Sequence, residues 1–143
     1  MKTYYYIQWL SADELHKETK LWLSELKFMR EEQLFLNKLV QSFTLQLIDS
    51  SIYQKSKTLV GQLQTAEKNS VPLFKKVQAH GNQLEILVDD IDQLKMEKAY
   101  LATHEELKGE MNDYTQGYRA IKERLFKLLS SIRKKDKRER LQP

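Results

Sequence analysis

The chain of 143 residues contains no cysteine, four glycines and two prolines. Without cysteine it has neither a disulfide framework nor a thiolate metal site. Glycine and proline supply the turns of β-sandwiches and barrels. Their scarcity, together with abundant Leu, Lys, Glu and Gln, predicts an all-α protein. The length predicts one domain over residues 1–143.

Long apolar runs are also missing. No stretch approaches the roughly 20 apolar residues that cross a bilayer, and residues 1–10 lack the apolar core of a signal peptide. We therefore expect a cytoplasmic protein. Residues 1–10 hold four aromatic side chains, which we predict to pack as a cap across the helix ends.

The net charge of +4 comes from one short segment. Residues 133–140 hold two acids and six bases, so the remainder of the chain is neutral. The bases are Arg133, Lys134, Lys135, Lys137, Arg138 and Arg140. The predicted basic tail over residues 133–143 suits the binding of nucleic-acid phosphates or anionic lipid. The alternative is a helix terminus whose cations favour the helix dipole and keep the protein in solution.

A first long helix is predicted over residues 11–68, beginning at the capping box of Ser11 and Glu14. Apolar residues then recur in steps of seven, four and three, which is typical of a helix face directed at a core. This seam consists of Leu15, Trp22, Leu26, Met29, Leu36, Val40, Phe43 and Leu47. Residues 49–51 are a weak point, but the pattern resumes after them.

A second apolar row lies about 100° or more around the same helix. It consists of Leu21, Phe28, Phe35 and Leu39. A single antiparallel partner covers one stripe only, so this row needs another surface. Large exposed apolar patches usually mark interfaces, and we therefore predict self-association through this row.

The best position for a turn is residues 69–72. Pro72 lacks a backbone donor and disfavours the helical conformation of Val71, while Asn69 and Ser70 are good N-cap residues. A second long helix is predicted over residues 73–132. Its apolar phase slips after Leu101, with a possible break near residue 103, and its seam then continues as Leu107, Met111, Tyr114, Tyr118, Ile121 and Leu125.

These patterns predict a long antiparallel helical hairpin, similar to a coiled coil, that pairs into a four-helix bundle. The alternative is a compact monomeric bundle of three or four helices with breaks near residues 50 and 103. In the hairpin, helix positions equally distant from the turn at residues 69–72 face each other.

Residues with the chemistry of an active site do not converge in this arrangement. The hairpin places His16, His80 and His104 at different heights. Asp13 and His16 have the spacing of di-iron helices, but such sites need about six converging ligands. No glycine-rich phosphate loop and no nucleophile elbow is present. We expect no metal, no cofactor and no enzymatic activity.

The function predicted from the sequence is a non-catalytic interaction or scaffold protein. Its partner is a second copy of the chain, as a homodimer, or another helical protein. The alternative is a binder of nucleic acid or of an anionic membrane surface that uses the basic tail.

Overall fold

The computed structural model describes residues 12–43, 46, 53–89 and 94–141. Three helices account for nearly all of these residues: α1 over Ala12–Ser42, α2 over Tyr53–Asp89 and α3 over Leu94–Leu141. The described ranges contain no β-strand, so the predicted all-α class is confirmed. The predicted aromatic cap at residues 1–10 lies outside the described residues.

The predicted position of the turn is wrong. α2 runs through residues 69–72, with Pro72 inside the helix. The two helices predicted over residues 11–68 and 73–132 are replaced by three, because α1 ends at Ser42, α2 ends at Asp89 and α3 begins at Leu94. The described residues therefore form three helices, a number that agrees with the alternative prediction of three or four helices and not with the two helices of the hairpin.

Other predicted boundaries also differ from the structure. The alternative break near residue 103 is wrong, because α3 continues through it. The weak point at residues 49–51 lies outside the described residues, between the end of α1 and the start of α2. Residues 133–141, predicted as a tail, belong to α3.

The core face of α2 explains why the helix continues through Pro72. Its buried positions alternate in steps of three and four on both sides of the proline: Ser56, Leu59, Leu63, Ala66, Ser70, Leu73, Val77, His80 and Leu84. Pro72 is exposed, as is Lys68, whose carbonyl loses its usual donor, so water can reach this group. Burial of the core face outweighs the proline penalty of about 3 kcal/mol.

The described chain divides into two compact units. The first contains residues 12–29 of α1, 69–89 of α2 and 94–113 of α3. In it α2 runs antiparallel to both neighbours: the Lys27 ammonium lies 5.9 Å from the centre of the Phe74 ring, and Lys76 pairs with Glu110 at 3.2 Å. One core cluster joins all three helices, and its members are Leu15, Leu84, Tyr100 and Leu101.

The second unit contains residues 30–42 of α1, 53–68 of α2 and 114–141 of α3. Its apolar core draws on all three helices: Leu36, Val40, Leu59, Leu63, Ala66, Tyr118, Leu125, Leu128, Leu129 and Ile132 are buried. Polar contacts join α1 to both neighbours. Asn37 donates to the carboxylate of Glu67, and Tyr118 donates to Glu32.

None of the described helices carries an apolar stretch that would cross a lipid bilayer.

Pro72→Ala tests the continuity of α2. Alanine restores a backbone donor inside a helix, so we expect the free energy of unfolding to rise by up to about 3 kcal/mol. Urea unfolding followed by circular dichroism measures this difference. Val71→Ala, at the exposed neighbouring position, is the control and should change stability by less than about 1 kcal/mol. A destabilised Pro72→Ala variant would favour a turn at residues 69–72.

Candidate functional site

Two histidines meet in the interior of the first unit. His80 of α2 is 2% exposed and His104 of α3 is 3% exposed. His80 Nε2 lies 2.9 Å from His104 Nδ1, and His104 Nε2 lies 3.2 Å from Glu18 Oε1 of α1. A chain of polar contacts thus connects α2, α3 and α1. We call His80, His104 and Glu18 the histidine relay.

Aromatic rings enclose the relay on both sides. The Trp22 ring stacks on His104 with a centroid distance of 4.6 Å, and the Tyr100 ring stacks on His80 at 4.0 Å. Rings at these distances gain stacking contacts as well as burial. The two imidazoles are therefore held in fixed orientations within an aromatic layer of the core.

The predicted separation of these histidines is wrong because the predicted turn is wrong. With the reversal between α2 and α3 placed after Asp89 rather than at residues 69–72, positions 80 and 104 face each other. His16 is half-buried on α1 and is not among the contacts of the pair. The sequence analysis missed the pair because the hairpin with its turn at residues 69–72 placed the two histidines at different heights.

The hydrogen-bond directions follow from the chemistry of the Glu18 carboxylate. Ionised, it can only accept, so His104 donates to it through Nε2–H. The Nδ1 atom of a neutral His104 is then an acceptor, and we assign the donor between the two rings as His80 Nε2–H. This leaves His80 Nδ1 as an unprotonated nitrogen, buried and without a hydrogen-bond partner among the described residues.

Proton uptake by this arrangement is unfavourable. Burial and, to a smaller extent, the neighbouring charge of a protonated His104 together lower the pKa of His80 to about 4. If His104 were protonated, its Nδ1 would carry a hydrogen and donate it to His80. His80 would then have to accept through Nε2 and carry its own hydrogen on Nδ1, the nitrogen without a partner among the described residues. Burial also raises the pKa of Tyr100 to about 12, an effect that the Thr19 hydroxyl partly offsets. His80 of the relay and the Tyr100 ring that stacks on it are therefore both neutral near pH 7.

The chemistry available to the relay is limited by its geometry. His104 uses one ring nitrogen for Glu18 and the other for His80, so the three side chains do not point at a common centre. Among the described residues, no group of three or more potential ligands is placed to hold a metal ion. The geometry favours a structural contact between helices over an acid–base site.

A second polar network lies in the second unit. Gln33 of α1 donates to the Tyr114 hydroxyl at 2.9 Å, and that hydroxyl donates to the carbonyl of Ala66 at 2.8 Å. Glu32 accepts from the Tyr118 hydroxyl at 2.6 Å and from Lys122 at 2.9 Å. All three helices are therefore joined by polar side chains in this unit as well.

The acid in this network is held in its ionised form. Burial alone raises the pKa of Glu32, but the hydrogen bonds from Tyr118 and Lys122 and the charge of Lys122 outweigh this effect and lower it. The pKa of Tyr118 is raised by burial and by its hydrogen bond to Glu32. Tyr114 and Tyr118, predicted as seam residues, are thus hydrogen-bonded contacts at the edge of the core.

The predicted interface row lies mostly on the surface of α1. In the first unit, Leu21 is 55% exposed and Phe28 is 64% exposed. In the second unit, Phe35 is 60% exposed and Leu39 is half-buried. Leu34, which lies beside Phe35, is also exposed. The row is therefore not used by the described core.

The predicted seam residues lie mainly inside. Buried are Leu15, Trp22, Leu26, Met29, Leu36, Val40, Leu107, Met111, Tyr118 and Leu125. Half-buried are Phe43, Tyr114 and Ile121, and Leu47 lies outside the described residues.

The predicted basic residues lie on the last turns of α3. Exposed are Arg133, Lys134, Lys135, Lys137 and Arg138. The side chain of Arg140 lies outside the described part of the chain.

Comparison of the chain with protein-family models, with curated proteins and with solved structures found no match.

The histidine relay makes stability depend on pH. His80 titrates near pH 6.5 in an unfolded chain and near 4 in the folded one. Between these values the unfolded chain binds more protons. We therefore expect the free energy of unfolding to fall as the pH falls from 6.5 towards 4, by about 3 kcal/mol in total. Urea unfolding at pH 7, 6 and 5 measures this loss.

His80→Gln removes this titrating group, so the variant should lack the loss of stability that His80 causes as the pH falls. The difference in the free energy of unfolding between the wild type and the variant should therefore become smaller between pH 7 and pH 5. His16→Gln changes a histidine outside the relay and should keep the wild-type pH dependence. Equal pH dependence in wild type and His80→Gln would contradict the assignment of the titration to His80.

Proposed function

We propose that this chain is a non-catalytic interaction protein that binds a second copy of itself through the apolar row of α1. The observation that carries the proposal is the exposure of Leu21, Phe28 and Phe35 on one helix. Single exposed apolar residues are ordinary on protein surfaces. Large apolar side chains repeated every seven residues along a helix are typical of a surface that another helix covers.

The energetics favour coverage of this row. Full burial of one Leu or Phe side chain contributes about 1.5–3 kcal/mol. The three side chains of the row are 55–64% exposed, so covering each of them contributes roughly half of that amount. The seam residues of α1, which include Trp22, Met29 and Leu36, are already buried in the core and are not part of this row.

The spacing of the row suits a twofold arrangement. Phe28 lies seven residues from both Leu21 and Phe35. Two antiparallel copies of α1 would therefore place Phe28 against the partner's Phe28, and Leu21 against the partner's Phe35. Such an interface uses the same surface on both copies and closes as a dimer. This self-complementarity is the reason for proposing a second copy rather than a different helical protein.

Phe28→Glu combined with Phe35→Glu tests the dimer. We expect wild-type protein near twice the chain mass of 17.0 kDa and the double variant near 17.0 kDa, because two carboxylates on each copy would be desolvated by association. Light scattering after size-exclusion chromatography measures the mass. Circular dichroism should show unchanged helix content, since both phenylalanines are exposed within the chain.

Gln64→Glu combined with Gln78→Glu adds the same charge at exposed positions of α2. This control should retain the wild-type mass. A wild-type mass of one chain, or a Phe28/Phe35 variant that remains dimeric, would refute self-association through this row.

A further inference from the structure

The C-terminal part of α3 carries an exposed basic face. A surface cavity of about 540 Å³ is lined there, among the described residues, by four cations and two hydroxyls: Lys127, Ser130, Ser131, Lys134, Lys135 and Arg138. All six side chains are exposed. None of the four cations forms an ion pair with a described acidic side chain.

The helical period separates this face from the acids of the same segment. At about 100° per residue, positions 127, 134 and 138 fall within about 40° of one another. Position 136 falls on the opposite side of the helical wheel, and position 139 lies about 120° from position 127. The position of the only acid in the sequence between 127 and 138, Asp136, is therefore away from this basic face. This arrangement favours binding of an extended polyanion along the helix.

The neighbouring apolar residues argue against a membrane as the partner. A helix that lies on a bilayer inserts an apolar face between the lipid headgroups. Here the apolar face of the same segment is already used inside the second unit, since Leu125, Leu128, Leu129 and Ile132 are buried. The basic face has only charge and hydroxyl groups to offer.

The residue types of the lining fit phosphate groups. Lys, Arg and Ser are common donors to nucleic-acid phosphates, and such contacts carry no sequence information. Surfaces for single strands add aromatic rings on which bases stack. The described lining contains no aromatic ring, and Phe126, although exposed nearby in the sequence, is not part of it.

We propose that this basic face of α3 binds the phosphate backbone of double-stranded nucleic acid without reading its sequence. From Lys127 to Arg138 the helix rises about 16 Å, which is about five base pairs of a duplex and about ten phosphate charges. The four lining cations can each approach a phosphate along this length. This binding is a second activity that does not depend on the proposed dimer.

Fluorescence anisotropy with a labelled 20-base-pair DNA duplex tests the proposal. Four phosphate contacts give a slope of about −3.6 for the logarithm of the association constant against that of the salt concentration. We therefore expect the affinity to fall about 100-fold between 50 and 200 mM salt. The variant Lys127→Gln, Lys134→Gln, Lys135→Gln and Arg138→Gln should lose at least tenfold in affinity at 50 mM salt and most of the slope.

A matched control removes four charges elsewhere, through Lys20→Gln, Lys75→Gln, Lys98→Gln and Lys108→Gln, all at exposed positions of the first unit. This control should bind within about threefold of the wild type. Equal losses in the two variants would assign the binding to net charge and overturn the proposal. Absence of duplex binding would also overturn it, as would stronger binding to a single strand or to phosphatidylserine vesicles.

Discussion

The first unit depends on the hydrogen bond between His80 and His104, because it fixes how α2 lies against α3. A shift of either helix by one turn would leave both imidazoles buried without this partner, and an unpaired buried polar group costs about 1–3 kcal/mol. The carboxylate of Glu18 extends the constraint to α1. Apolar side chains tolerate several registers, whereas this polar contact forms in one. Gln33 has a comparable role in the second unit, where it binds Tyr114.

The three helices show which parts of this fold can be read from the sequence. The apolar positions of α1 and the second half of α3 predicted buried faces because Leu, Met and Trp recur there with helical spacing. The polar residues on the same helix faces were not predicted to be buried. Thr19 and Gln33 are buried in α1, as are His80 in α2 and His104 in α3. With His104 counted as core, the buried positions run from Tyr100 through His104 and Leu107 to Met111 in steps of four, three and four.

The predicted turn at residues 69–72 was wrong for a related reason. Local preference disfavours a helix through proline, but the buried pattern of α2 continues through it in unbroken steps of three and four. Its members at 56, 66, 70 and 80 are Ser, Ala, Ser and His, which an apolar count does not recognise. The exposed row on α1 was easier to find because Leu21, Phe28 and Phe35 are large and regularly spaced.

The order of the helices affects the chain while it is being made. Lys122 and Glu32 join α3 to α1 across 90 residues of sequence. At about 5–20 residues per second, a ribosome needs about 5–18 s to add that length. During this interval α1 has left the exit tunnel ahead of its α3 partner, and the side of α1 that Tyr118 later contacts through Glu32 is still open. A nascent chain that stalls between α2 and α3 therefore leaves Glu32 without the contacts that Tyr118 and Lys122 later supply.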